Sequence, residues 1–418
     1  MRIAVVGGGI SGMMSWYLLQ QKHDVTVIEA NDYLGGHTAT VDVEVEGKNY
    51  AIDTGFIVFN NWTYPLFNKF LSELGVAFQP TTMSFSVKNS ANNLEYNGNT
   101  LFSLFAQRRN LFRPSFWLML KDIVRFNKLG KQLLAEDSVD LSLTLGDFLQ
   151  KYNFGRGIRD NYLMPMGAAI WSAGLADMPA FPVRFFLRFF NNHGLLNIAD
   201  RPQWAVVKGG SKRYVEALLN KLGTDAVKLN QSIRRIERDE TGVTLHFADG
   251  RTEQFDKLVL ACHSDQALRL LGESATAEEQ QVLGGIAYQQ NEVVLHTDTK
   301  LLPKRERAWA AWNYNLDANE SDRATLTYNM NLLQGIDAPV TFCVTLNNTT
   351  AITPERVLGV YQYAHPVYNE LTIAAQQKRS LINGKLHTYF AGAYWYNGFH
   401  EDGARSAVDV AADLGVSF

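Results

Sequence analysis

Residues 1–38 read MRIAVVGGGISGMMSWYLLQQKHDVTVIEANDYLGGHT, and this stretch decides the fold. Residues 3–6 form an apolar run of the kind that is buried on both faces of a parallel β-sheet. Gly7, Gly9 and Gly12 follow at once in the spacing G-x-G-x-x-G. The first glycine permits the tight strand-to-helix turn, and the second lets the backbone approach a pyrophosphate. The third lets the helix sit against the sheet. Residues 13–21 hold helix formers and no breaker, so a helix start near Ile10 and Ser11 can offer free N–H groups and a positive dipole end to phosphate. A second apolar strand at residues 25–28 ends in Glu29 and Ala30. An acid roughly twenty residues past the glycines is placed to hold ribose hydroxyls. Strand, glycines, helix, strand and acid in this order make a dinucleotide-binding unit, which alone does not separate NAD from FAD.

The composition suits a folded protein with room for two cores: 418 residues, 46% hydrophobic, net charge −3. Such a balance excludes a disordered chain or a globally basic nucleic-acid binder. Cys262 and Cys343 make no disulfide framework, and no metal-type spacing is present. No run of eighteen apolar residues is free of charge, so no spanning helix is expected. With the first strand beginning at residue 2, no secretory signal is expected either, and the cytoplasm is the expected location.

Two further glycine-bearing segments come next: Leu34-Gly35-Gly36-His37 and Ile52-Asp53-Thr54-Gly55, the latter followed by Phe56. Together with the first unit they resemble the flavin amine oxidase superfamily. The resemblance implies FAD, with a glycine pair and an arginine wrapping its pyrophosphate. This chain carries His37 where the arginine is usual, and an imidazole is a weaker phosphate partner than a guanidinium fork. The resemblance also implies that the segment starting Ser232-Ile233 contacts adenine through its backbone, with Ile233 in that role. At the other end, residues 388–391 read as a short strand, followed by Gly392 and YWYNGFHEDGARSAVDVAADLG. The superfamily closes its FAD site with this layout. A helix through Ala404 would point its N-terminus at the flavin, where negative charge gathers on reduction. Phe399, His400 and Glu401 are the implied contacts, with Gly392, Thr54, Gly55 and Phe56.

Between these segments, residues 62–75 read as a helix ended by a glycine, residues 76–88 as a strand, and residues 89–99 as a hairpin turn. Residues 101–134 interleave seven Lys and Arg with Phe, Trp and Leu against a single acid, Asp122. Residues 181–190 echo this with Arg184 and Arg188 among Phe185, Phe186, Phe189 and Phe190. Two readings stay open: a helical subdomain with solvated cations, or a surface that touches an anionic membrane. Residues 288–346 read as an open antiparallel sheet of four strands, with Trp309, Trp312, Tyr314 and Tyr328 as candidates to face a cavity.

The expected fold is α/β: a Rossmann-like FAD-binding domain from residues 1–80, 205–285 and 385–418, interleaved with an α+β substrate domain. The latter takes residues 81–204 and 286–384, with a basic aromatic helical part at 101–195. The strings HTDTKLLPKRERAWAAWNYN and FAGAYWYNGFHEDGARSA are similar to a bacterial family of FAD-dependent oxidoreductases encoded beside cyclopropane-fatty-acyl-phospholipid synthases, and to the N-terminal part of plant cyclopropane synthases. That resemblance implies an acyl-lipid neighbourhood. The expected activity is oxidation or desaturation of an apolar substrate, a fatty-acyl chain or lipid, by hydride transfer to flavin N5. Amine oxidation, isomerisation without net redox change and a non-catalytic role beside a lipid methyltransferase are the alternatives. His400, Tyr396 and Glu401 are the catalytic candidates. The expected partners are a lipid substrate, such a methyltransferase and a membrane surface, without nucleic acid or metal.

Overall fold

The computed structural model describes residues 1–140, 142–171, 173–316 and 325–418. At its centre lies a five-stranded parallel sheet in the order Val227–Lys228, Asp24–Ile28, Arg2–Val6, Lys257–Leu260, Thr388–Phe390. Three distant parts of the chain thus share one sheet. The first strand sits in the middle, which is why its apolar run is continuous rather than alternating.

Helix Ile10–Leu19 leaves the first strand and has every residue buried. A helix apolar on all sides must be covered on all sides. The sheet covers one face, and the closing helix His400–Asp413 covers another through Ala404, Ala407 and Ala411. The core here includes Met13, Met14, Trp16, Leu18 and Leu19, each worth about 1.5–3 kcal/mol on burial. Helix Pro65–Leu74 packs on the same cluster and ends at Gly75, whose φ of +68° no β-carbon residue adopts cheaply.

A seven-stranded sheet forms the second layer system, in the order Val357–Pro366, Tyr288–His296, Cys343–Leu346, Leu326–Asn329, Trp312–Leu316, Phe85–Asn89, Leu94–Asn97. It departs from the expected four antiparallel strands in three ways. Trp312–Leu316 runs parallel to Phe85–Asn89, so the sheet is mixed. The strand expected across RAWAAWNYN begins only at Trp312, because Glu306–Ala308 forms a 3₁₀ turn. The edge strand Val357–Pro366 was not expected at all. Residues 76–88 are likewise two strands in two sheets. Phe78–Thr81 pairs with Trp204–Val207, and Phe85–Asn89 joins the large sheet. Pro80, which cannot donate to a ladder, sits on the outer strand of the small sheet. Of the four aromatic cavity candidates, Tyr314 is buried in the core. Trp309 donates its indole N–H to the Pro303 carbonyl.

Residues 101–192 are largely helical, led by the 22-residue helix Pro114–Ala135. Its inner face carries Phe116, Met119 and Phe126, which meet Phe148, Phe186 and Phe190 in an aromatic core. Among the described residues no helix is long and apolar enough to cross a membrane.

Candidate functional site

The two ends of the chain meet at the first glycine loop. A β-carbon on Gly7, where φ is +108°, would stand 2.8 Å from the Ala261 carbonyl oxygen, and one on Gly12 would stand 1.8 Å from the Gly7 oxygen. Those two glycines are required by backbone packing. A β-carbon on Gly9 would meet nothing within 4 Å. Gly9 therefore faces open space, at a helix start with no side-chain cap and no acid in its first turn. Unpaired N–H groups and a bare positive dipole end are left for an anion.

Glu29 is buried beside this loop, with one oxygen accepting from the Gly8 N–H (2.6 Å) and the other from the Asn31 N–H (2.9 Å). Its own backbone oxygen accepts from the Gln231 N–H, so the strand Ile233–Arg238 starts next to it. Ala30 is exposed at the strand end, and half-buried Ile233 packs on the core beneath the sheet. The second glycine pair lies on the first loop: Gly35 N–H donates to the Gly8 oxygen, and a β-carbon on Gly36 would stand 3.2 Å from the Gly9 Cα. The 54–56 loop lies in turn on the glycine pair. Phe56 N–H donates to the His37 oxygen, and a β-carbon on Gly55 would stand 2.1 Å from that atom.

His37 points into a cluster of rings, with centroids 5.2 Å from Tyr363, 5.5 Å from His365 and 5.6 Å from His263. His263 in turn stacks on Tyr288 at 4.5 Å. Burial pushes the His37 imidazole down to about 3, the neighbouring His365 and His263 add to this, and a hydrogen bond to the Ala364 backbone opposes it. His365 is pushed down to about 4 by burial and by His263. The Nε2 of His37 is buried without a partner. Yet His37, His263, Tyr288, Tyr363 and His365 all keep some accessible surface. They line a narrow groove rather than fill a core.

At the other end of this groove, His400 stacks on Phe56 (3.7 Å, 9° between planes) and meets Phe67 edge-on. Its Nε2 lies 2.9 Å from the Tyr214 hydroxyl, which lies 2.5 Å from the Thr38 hydroxyl. Burial, with His37 nearby, holds the His400 imidazole well below its usual range, so it is neutral at neutral pH. Thr54 reaches Tyr363 by a 3.0 Å hydroxyl contact.

The other expected site residues point elsewhere. Both oxygens of Glu401 accept backbone N–H groups, from Leu66 and Phe67, each at 2.9 Å. Glu401 thus holds the exposed N-terminus of helix Pro65–Leu74. Burial pushes its carboxyl up to about 7, against those two hydrogen bonds. Tyr396 turns to the far side of its loop, where its hydroxyl donates to Asp409 and the Arg405 guanidinium covers its ring. Both are thus engaged in holding the fold, Glu401 at a helix start and Tyr396 on Asp409. Gly392 N–H donates to Ser406, and Ala404 is fully buried against helix Ile10–Leu19, so both act on helix position.

Phe399 faces outward from the groove onto Phe189 (4.9 Å) and His193 (5.7 Å) of the helical part. Phe185 stacks on Tyr368 at 5.2 Å, and a β-carbon on Gly398 would stand 2.5 Å from the Tyr368 hydroxyl. Sequence reasoning missed Tyr214, Tyr363, His365, Tyr368 and His193. Gly359, Tyr361, Tyr363 and His365 fall at every second position of VLGVYQYAHP and so share one strand face, a signal that was there to be read. Tyr214 and His193 carry no such signal: Tyr214 lies in the first turn of helix Lys212–Leu222 and His193 caps the C-terminus of helix Val183–Asn192, and each is aimed by packing alone.

An uncapped helix start with room for an anion, a buried acid, a glycine pair and a set of partly exposed rings lie together, and these residue types suit the pyrophosphate, ribose and ring system of FAD. Among the described residues no group of three or more His, Cys, Asp and Glu is arranged to hold a metal.

Comparisons with known proteins agree with this geometry. The family model described as "Flavin containing amine oxidoreductase" matches residues 10–331, well over half of the chain. The chain is 25% identical over 279 residues (62% of it) to "Probable flavin-containing monoamine oxidase A" of Dictyostelium discoideum. It is 24% identical over 283 residues (64% of it) to an L-amino-acid oxidase of Siganus canaliculatus. Those matches cover 56% and 49% of the two relatives, so the chain spans about half the length of the curated relatives it matches. Among solved structures, a putrescine oxidase shares the fold with a TM-score of 0.72 at 16% identity, covering 99% of both chains. A fatty acid isomerase from P. acnes does so with a TM-score of 0.69 at 17% identity, covering 99% of this chain and 98% of that one. On the family match and the groove together, the chain belongs to the flavin containing amine oxidoreductases, a family of FAD-dependent oxidoreductases.

Proposed function

We propose that the protein oxidises or desaturates an apolar substrate, a fatty-acyl chain or lipid, at a C–H bond. FAD, when bound, supplies the acceptor for the hydride. The observation that carries this reading is the character of the groups around Phe56. The neighbouring imidazoles of His400 and His37 are held neutral, and the carboxylates that follow His400 are engaged, Glu401 on the Leu66 and Phe67 N–H groups and Asp402 on the Phe399 N–H and the Asn397 amide. An ammonium ion would find no free carboxylate there, whereas an apolar chain would lose little on entering.

Each residue then has a physical task. Phe399, Phe189 and His193 wall the outer end and exclude water. His400 orients Phe56 by stacking. A chain in which Thr38 donates to Tyr214 and Tyr214 donates to His400 Nε2 satisfies all three groups and fixes the imidazole. Gly9 and the helix start bind the pyrophosphate, and His37 Nε2 becomes an added donor only when the bound anion draws a proton onto it. In this reading His400 is a positioning residue rather than a general base, because its proton affinity is too low at neutral pH.

The purified protein should be yellow, and lipid should bleach its flavin absorbance when oxygen is excluded. A colourless protein that takes up no added FAD ends the proposal. Bleaching by amines but not by lipids, with hydrogen peroxide released in air, would replace the substrate with an amine, the class the family name favours. Product analysis without net bleaching would identify an isomerase. Lipid binding without turnover, with co-purification of a lipid methyltransferase, would indicate a carrier role.

A further inference from the structure

We propose that the tip of the helical part is a docking surface for an anionic lipid bilayer. Three short pieces make this tip: helix Leu101–Leu104, the 3₁₀ turn Arg108–Phe112 and the first turns of helix Pro114–Ala135. They are tied together. Phe105 packs on Trp117 at 5.5 Å, and the Trp117 indole N–H donates to the Leu111 oxygen at 3.0 Å. Ser103 caps its own helix through Thr100 and donates to the Asn97 oxygen of the adjoining hairpin.

The rigid tip nevertheless turns its largest apolar side chains outward. Phe112 is 86% exposed, Leu101 78%, Phe102 67% and Leu118 62%. Single exposed apolar residues are ordinary, but four of this size on one constrained tip, with Leu111 and Trp117 beside them, are not. Water penalises such a surface unless something covers it.

Charge identifies what covers it. From residue 101 to Lys121 there is no acid. Exposed Arg108, in the 3₁₀ turn, and Lys121, Lys128 and Lys131, along the long helix, form no ion pair among the described residues, and Arg307 lies over the Phe102 ring at 4.8 Å. Basic residues that are already engaged lie further in: Arg125 on Asp122, and Arg113 on the Asn92 oxygen. A convex apolar tip with a collar of unpaired cations matches hydrocarbon below and anionic headgroups around it. A second protein would instead need a flatter patch with charges of both signs.

This surface does not depend on which substrate the groove takes, and its test reads binding, not turnover. The holoprotein is sedimented with phosphatidylcholine vesicles, with and without about 30 mol% phosphatidylglycerol, at low and high salt. Binding should need the anionic lipid and fall as salt rises. Phe112→Ser with Leu118→Ser, and separately Arg108→Glu with Lys121→Glu, should each weaken it by about tenfold or more while flavin absorbance and melting temperature stay unchanged. No binding at low salt, or equal binding by the Phe112/Leu118 variant, overturns the proposal. So does a dimer of the wild-type protein that the same variant dissolves, since a second copy would then cover the tip. Should either variant lose its flavin, the lipid and salt dependence of the wild-type protein decides alone.

Discussion

The hydroxyl of Ser11 donates to the backbone oxygen of Gly403 at 3.0 Å, across a sequence separation of 392 residues. This contact brings two helix N-termini together at the groove. Gly403 has to be small for it, because a β-carbon there would stand 2.6 Å from the Ile10 side chain and 3.0 Å from the Ser11 oxygen. The chain ends are therefore packed on one another, and in the proposed cofactor cradle substitutions should divide into those that break packing and those that only block the ligand.

Gly12→Ala and Gly9→Ala separate these two effects. The Gly12 β-carbon has no room beside the Gly7 carbonyl, so that variant should lose on the order of 1–3 kcal/mol of stability along with its flavin. The Gly9 β-carbon meets only open space, so the apoprotein should melt as the wild type does. It should still bind FAD about tenfold more weakly, a loss of about 1.4 kcal/mol, because the methyl group stands where the pyrophosphate approaches. Thermal melts of the two apoproteins, with flavin fluorescence titrations, test both halves. Equal melting losses would refute the division.

Legibility followed backbone constraint. The glycines at 7, 12, 35 and 36 could be read directly, because close backbone approach or positive φ leaves little room for another residue type, while Gly9 and the apolar run at 3–6 were legible from their place in the strand–loop–helix pattern. Side-chain direction in the last loop could not. Tyr396, Phe399 and His400 lie within five residues, yet they face Asp409, Phe189 and Phe56 respectively. Their directions are set by elements that are far away in sequence. Glu401 looked like a base because of its neighbours, and only the fold reveals that helix Pro65–Leu74 begins against it.

With His37 on the pyrophosphate as proposed, FAD binding should have a proton dependence that an arginine would lack. In the apoprotein its pKa is held down to about 3. A pyrophosphate beside its free Nε2 favours the imidazolium, so FAD binding should raise that pKa and take up a proton. Affinity should then be greatest at the acid end and fall as pH rises through the holo value. His263, His365 and Tyr363 face the same ring and are unchanged in the variants. His37→Gln should lose roughly 1 kcal/mol, about fivefold in affinity, and flatten the slope. His37→Arg should bind at least as well as wild type, with no slope. An unaltered slope in His37→Gln would assign it to the other rings.

Stability of the apoprotein should rise from about pH 4.5 to about pH 6.5. Burial lowers His37 to about 3 and His193, His296 and His365 to about 4, and it also lowers His263 and His400. In that window the unfolded chain binds more protons at these six groups, so raising the pH favours the fold. Three buried acids act the other way: Asp53 and Asp402 are raised to about 6 and Glu401 to about 7. There the folded state holds the extra protons, and their contribution is lost as pH rises through those values. Six groups outweigh three up to the histidine value, and above it Glu401 alone still titrates, giving a shallow decline. Urea midpoints across this range test the sign, and a fall from pH 4.5 to 6.5 would contradict it.

Glu401→Gln distinguishes a capping carboxylate from a catalytic one. An amide can offer only one oxygen to the two N–H groups of Leu66 and Phe67, and its NH₂ would face the other donor. The helix start would lose about 1–2 kcal/mol, as when an N-cap is removed. The melting temperature should therefore drop, whereas turnover per bound flavin, measured below the melt, should stay within a few-fold of wild type. A general base would give the opposite pair of results: an unchanged melt, and turnover reduced by 10²–10⁴. Because Glu401 is raised to about 7, the melting loss should also depend on pH. It should be smaller at pH 8 than at pH 5.5, because the wild type, whose raised carboxyl favours the fold while protonated, loses stability as pH rises toward 7, whereas the amide does not titrate.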